Sequence, residues 1–101
     1  MKIWLDDVRP MPEGYDYWAK NARECIEEVL LGNVSFISFD HDLGQGKSGY
    51  DVAKVIEKMA YCGFGEVIGY RIHSANPVGR RNIEMAMSSA QRFWREGQND
   101  G

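Results

Sequence analysis

The 101-residue chain is poor in cysteine, proline and positive charge, and it has no long apolar run. Two cysteines are too few for a disulfide framework, and Cys25 and Cys62, at apolar positions of predicted helices, read as reduced core residues. Three prolines leave most of the chain free to form regular elements. Residues 1–5 are too short for a signal peptide or a membrane span, so a cytoplasmic protein with no membrane partner is expected. Twelve Lys and Arg against 15 Asp and Glu leave a net charge of −3. An extended nucleic-acid surface needs clustered positive charge to displace counterions from phosphates, so none is expected. A small anionic ligand needs only a local positive patch and stays open.

What the chain does have is one domain's worth of alternating apolar runs and amphipathic stretches, over residues 1–96, followed by a polar segment, 97–101, expected to be a flexible tail. Residues 2–6 (KIWLD) and 34–39 (VSFISF) are short, β-branched and aromatic, as in a sheet covered on both faces, and each runs into an aspartate. Residues 15–19 (YDYWA) read as another strand. Residues 66–73 (EVIGYRIH) read as a fourth, and the alternation of Ile68, Tyr70 and Ile72 with Gly69 and Arg71 marks an edge.

Helical signals fill the gaps. Asn21 with Glu24 opens one helix with a stripe of Ala22, Cys25, Ile26, Val29 and Leu30, and Gly32 stops it. Ser48 with Asp51 opens a second, through Val52, Val55, Ile56 and Met59 to Gly63. Asn76 and Pro77 open a third that carries Ile83, Met87, Ala90 and Trp94. This order predicts an α/β fold with a mostly parallel sheet.

If Asp6 and Asp40 share the carboxyl edge, residues 7–14 must cross back over the sheet without a helix, and eight residues reach about 26 Å, which suffices. In a sheet ordered second, first, third, fourth, right-handed crossovers put the first two helices on one face. Residues 77–96 are expected to cross the other face and complete three layers, or a second copy covers it, so the chain is a monomer or a homodimer.

Ligands of open α/β sheets bind beyond the carboxyl ends of the strands. LDDVRP (5–10), FDHDLG (39–44) and IHSANP (72–77) all arrive there, and they contain both histidines. Asp6, Asp7, Asp40 and Asp42 offer the hard oxygens that Mg²⁺ or Mn²⁺ prefers, although aspartate also caps loops. The unperturbed histidine pKa lies near neutrality, so of His41 and His73 one suits protonation of a leaving oxygen and the other activation of water; their alternatives are a loop hydrogen bond for His41 and orientation of an aspartate for His73. Arg9 and Arg80, with Arg81 beside them, match phosphate oxygens with paired bonds. The start of the last helix adds free N–H groups, and Gly79 lets a ligand approach. Ser74 and Asn76 are donors to a phosphoryl oxygen, Asn76 being equally the helix cap. Trp4, Trp18, Phe36, Phe39, Phe93 and Trp94 read as core, and Tyr15 and Tyr50 as exposed aromatics.

Asp6, Asp7 and Asp40 after the first and third strands, SGYDVAKVIEKM, and YRIHSANP with Ser74 resemble the receiver domain of two-component signalling over residues 1–77, although the helix between the first two strands is missing. The resemblance implies a small flavodoxin-like fold, a divalent cation held by the acidic residues, and phosphate accepted at Asp40. Receivers continue into a fifth strand whose lysine contacts the phosphoryl group, and no match to it is found here. LDDVRPMPEGY, SFDHDLG with SGYD, and HSANPVGR resemble a divergent branch over nearly the whole chain, the cyclic-phosphate processing receiver domains. That resemblance implies a pocket that binds or opens a cyclic phosphate, such as a 2′,3′-cyclic end of RNA or a cyclic nucleotide; the convergence of acid, base and anion-binding groups at one edge makes His41, His73 and Asp40 the expected reactive groups. The alternatives are a module that senses or sequesters a phosphorylated nucleotide without turnover, or a degenerate phosphoacceptor using Asp40.

Overall fold

A computed structural model of the chain describes residues 1–44 and 46–99. Its elements are β1 (Lys2–Leu5), β2 (Tyr17–Ala19), α1 (Ala22–Leu30), β3 (Phe36–Phe39), α2 (Gly49–Tyr61), β4 (Gly69–Ile72) and α3 (Pro77–Asn99). The strands form one sheet in the order β2-β1-β3-β4, every pair parallel, with β4 at the edge. β2 and β4 are shorter than their apolar runs, because Tyr15 is drawn into the crossing segment and 66–68 lie outside the ladder. Among the described residues no helix is long and apolar enough to cross a membrane.

The helix starts follow the expected chemistry. The Asn21 side chain accepts the Glu24 N–H (2.9 Å), and the Asp51 carboxylate accepts the Ser48 N–H (2.7 Å), so each takes up a backbone donor that the first helical turn leaves orphaned. Gly32 and Gly63 stand just past α1 and α2 at φ 78° and 77°, a backbone state that favours glycine and stops a helix. The Asn76 side chain accepts the Gly79 N–H (3.0 Å) ahead of α3, which runs on to Asn99, into the segment expected as a tail; residues 100 and 101 lie outside the described residues.

Strand alternation sorts the sheet into two faces. Ile3, Leu5, Ala19, Ile37 and Phe39 point one way, together with Tyr70 and Ile72, and meet α1 and α2 in the core. α3 stands on this same face: it packs along α2, and the Tyr70 hydroxyl donates to Glu84 of α3 at 2.9 Å. The expectation that 77–96 crosses the other face is therefore overturned. Its buried residues Ile83, Ala86, Met87 and Ala90 share the core with Val52, Ala53, Ile56 and Ala60 of α2, and the alanines on both helices let them lie close.

The opposite face carries Lys2, Trp4, Trp18, Phe36, Ser38 and Arg71, and its cover is the segment 7–16. Asp16 bonds back to Lys2 through both its amide (2.8 Å) and its carboxylate (2.8 Å). Trp4 Nε1 donates to the Arg9 carbonyl (2.9 Å), while the Tyr15 ring meets Trp4 edge-on at 5.4 Å and tilts over Phe36 at 6.3 Å. Of the aromatics expected in the core only Phe39 is fully buried; Trp4, Trp18, Phe36, Phe93 and Trp94 are half-buried, as are Tyr15 and Tyr50. Cys25 is buried, which pushes its thiol up to about 12, whereas Cys62 and Leu30 are exposed, against expectation.

Candidate functional site

Sheet register builds the site. One step beyond the paired row Leu5, Phe39 and Ile72, the ladder continues through Asp40 N–H to Leu5 O and His73 N–H to Phe39 O, both 2.9 Å, so Asp6, Asp40 and His73 stand side by side on three adjacent strand tips. Because the preceding row faces the helices, these three face the other way, above Trp4 and Ser38.

Asp6 is fully buried. Its Oδ1 accepts the amide N–H groups of Val8 (2.9 Å) and Arg9 (2.7 Å), and its Oδ2 lies 3.0 Å from His73 Nε2. Burial alone would raise its pKa, but the Arg9 and Val8 amides and the His73 ring outweigh it and hold the carboxyl below its usual value. Trp18 Nε1 donates to the Asp6 carbonyl at 2.7 Å and fixes the main chain there. His73 is stacked on Trp4, centroids 3.9 Å apart and planes within 5°, and its Nδ1 lies 2.8 Å from the Ser38 hydroxyl. Burial lowers its pKa, with Asp6 pulling partly back, so the ring is neutral near pH 7.

Asp40 is 7% exposed. Burial and then the Asp6 charge raise its pKa, and only partial relief comes from the His41 amide, which donates to Oδ1 at 2.8 Å. Its other oxygen has no hydrogen-bond partner among the described residues. Ligand atoms of Asp6, Asp40 and His73 all lie within 4.8 Å of one another, close enough to hold one ion. Asp7 and Asp42 stand outside this group. The Asp7 carboxylate lies toward Gly44, and Asp42 turns to His41.

His41 belongs to the helical side of the same edge. Its ring fills the space over Gly79 in the first turn of α3, where an added Cβ would stand 2.3 Å from its Cγ. Nδ1 lies 2.9 Å from Asp42 Oδ1, with Asn76 Nδ2 3.4 Å from both, and the His41 bond holds the exposed Asp42 carboxyl below its usual value. Asp42 therefore accepts from an Nδ1–H, and Nε2 of a neutral His41 carries a lone pair with no partner among the described residues. The sequence grouped the two histidines together; the structure separates them by face.

The phosphate candidates line the rim. Arg9 folds back over the acidic group, donating to the His73 carbonyl (3.0 Å) with Nε 3.9 Å from Asp6. Arg80 spends one nitrogen on the carbonyls of Ile72 (3.0 Å) and Ser74 (3.1 Å). Ser74 is buried, its hydroxyl accepting the Asn76 N–H at 3.1 Å, while the Asn76 side chain caps α3. Arg81 is exposed.

Sequence reasoning missed Ser38. The available signal was a polar side chain in the middle of a central apolar strand, where a hydroxyl needs a partner.

Such an edge sets two buried carboxylates, one of them held ionised and the other resisting ionisation, beside a fixed neutral imidazole and a second imidazole with a free nitrogen. No curated protein and no solved structure matches the chain. A family model described as the cyclic-phosphate processing receiver domain matches residues 1–89, and the chain belongs to that family.

Proposed function

We propose that the pocket binds a cyclic phosphate, on a small nucleotide or at a 2′,3′-cyclic end of RNA, and opens it by hydrolysis. The observation that carries this reading is the row Asp6, Asp40 and His73 in a chain of this family. The donor set fits Mg²⁺ or Mn²⁺: two hard carboxylates sit together, and burial and the Asp6 charge, which raise the pKa of Asp40, are costs that a cation between them would offset. Asp6 and Asp40 would hold the cation. A bound divalent ion supplies neutralisation of charge on the phosphoryl oxygens.

The two histidines divide the work. Both ring nitrogens of His73 are committed, so it orients Asp6 rather than moving a proton. His41, anchored at Nδ1 by Asp42, has Nε2 free to take a proton from water and to return one to the leaving oxygen. Water adds to phosphorus, the ring P–O bond breaks, and the released oxygen takes the proton, leaving a monoester. The nitrogens that Arg9 and Arg80 leave unspent, with the Ser74 hydroxyl and Asn76 Nδ2, receive the anionic oxygens, whereas Gly79, expected to let a ligand approach, does not serve: its N–H is taken by the Asn76 side chain and the His41 ring covers it.

Incubation with 2′,3′-cyclic, 3′,5′-cyclic and cyclic dinucleotides, with and without Mn²⁺, tests the reading by chromatography of products. Ring opening that needs the ion and falls about 100-fold in His41→Ala is expected. Intact substrates throughout would overturn hydrolysis. Tight binding by calorimetry without product would select the sensing module instead, and labelling of Asp40 by a small phosphodonor the phosphoacceptor.

A further inference from the structure

The serine in β3 has no packing reason to be there. Ser38 is fully buried, between Ile37 and Phe39 on a central strand, where alanine or valine would fill the space without a hydroxyl to satisfy. Its hydroxyl meets His73 Nδ1 at 2.8 Å. At the ring's other end Asp6 Oδ2 stands 3.0 Å from Nε2, and Asp6 already takes two amide N–H groups on Oδ1, which marks it as an ionised acceptor. The proton between them therefore belongs to Nε2. Nδ1 then carries a lone pair, and the Ser38 O–H has to be its donor. Trp4, itself pinned to the Arg9 carbonyl, holds the plane of the ring but leaves open a half-turn about Cβ–Cγ, which keeps the plane and exchanges nitrogen and carbon positions. The two end contacts remove that last freedom.

We infer that Ser38 is a positioning residue: its hydroxyl, donating to Nδ1, fixes the orientation and the Nε2–H tautomer of His73 so that the ring serves as a permanent donor to Asp6. Buried below the ring, Ser38 cannot reach a ligand and acts only through His73. The consequence for ion binding rests on the reading given above, whereas the positioning itself does not. Outer partners of metal ligands commonly change affinity by about 10- to 100-fold when removed, so the chain Ser38, His73, Asp6 should be felt at the ion.

Threonine and valine have the same shape and differ in the hydroxyl, which separates hydrogen bonding from packing. Ring nitrogen spectra of His73 at one neutral pH are compared in the wild type, Ser38→Ala, Ser38→Thr and Ser38→Val, each first checked for cooperative unfolding. A protonated Nε2 and a hydrogen-bonded lone pair on Nδ1 are expected in the wild type and in Ser38→Thr. The Nδ1 bond should be lost in Ser38→Ala and Ser38→Val, while the His41 signals stay unchanged. Mn²⁺ affinity, read by calorimetry with the ion alone, should fall about tenfold in the same two variants. A proton on Nδ1 in the wild type, or unchanged His73 nitrogens in Ser38→Ala, would overturn the inference. Altered nitrogens in a protein that binds no Mn²⁺ would uphold Ser38 as the holder of His73 and count against the cation reading alone.

Discussion

Gly49→Ala is expected to destabilise the fold by about 3 kcal/mol or more, measured as a lowered urea midpoint. A Cβ on residue 49 would lie 2.0 Å from the Asp40 carbonyl oxygen, 3.0 Å from its carbon and 3.3 Å from the His41 Cα. All three are backbone atoms, so no side chain can turn aside. The backbone is also tied on both sides: the Gly49 N–H donates to the His41 carbonyl and the Asp40 N–H to Leu5, each at 2.9 Å. Relief of the clash therefore has to break the start of α2 away from the tip of β3. Gly97, whose Cβ would meet nothing within 4 Å near the end of α3, is the control, because alanine there should be neutral or stabilising by up to about 1 kcal/mol. A Gly49→Ala midpoint within about 0.5 kcal/mol of the wild type would mean that the loop is not packed on α2 in this way.

That contact shows why only part of the molecule was legible in its sequence. Caps and stops are local, so Asn21, Asp51, Gly32 and Gly63 announced the first two helices within a few positions. The acidic strand ends were legible too, because Asp6 and Asp40 follow apolar runs directly, and for a sheet ordered second, first, third, fourth the crossover handedness put the first two helices on one face. Register is not local. The row Asp6, Asp40 and His73 depends on which residues of three strands pair, and so does the meeting of Ser38 with His73, 35 residues apart. The side taken by α3 escaped as well, since the crossover rule says nothing of a helix that follows the last strand. Its clue was the pair of small stripes, Ala53 and Ala60 on α2 with Ala86 and Ala90 on α3, which spoke for helix against helix. The separate places of the two histidines came from the same cause: Gly79 admits the His41 ring because the first turn of α3 lies beside the loop that follows β3.

Asp40→Asn is expected to stabilise the protein at neutral pH while removing divalent-ion binding and cutting activity by more than about 100-fold, the upper end of what an outer-shell change costs. The stability gain follows from the sign of the pKa shift. Burial and the Asp6 charge raise Asp40 above the usual carboxylate value of about 3.9, so the folded state holds this proton more tightly than the unfolded chain. Its contribution is fully present below pH of about 3.9 and is lost as pH rises through the raised folded value, which leaves the ionised group a cost at pH 7. Asparagine keeps an oxygen for the His41 N–H and carries no charge to desolvate, so the midpoint should rise at pH 7 and the difference should vanish in acid. Asp6 works in the opposite sense: its pKa is lowered, so its contribution is present above the usual value and lost as pH falls through the lowered one. The two carboxylates thus oppose each other in stability: Asp6 is paired with two amides and His73, and Asp40 carries an uncompensated cost of the kind found at binding sites. Mn²⁺ separates the outcomes. At 100 times its dissociation constant an ion that binds only the folded wild type adds about 2.7 kcal/mol, and the variant should gain none, so titrating the ion should reverse the order of the two midpoints. A variant less stable than the wild type without the ion would refute the electrostatic cost assigned to Asp40, and an equal response of both proteins to Mn²⁺ would remove Asp40 from the cation site.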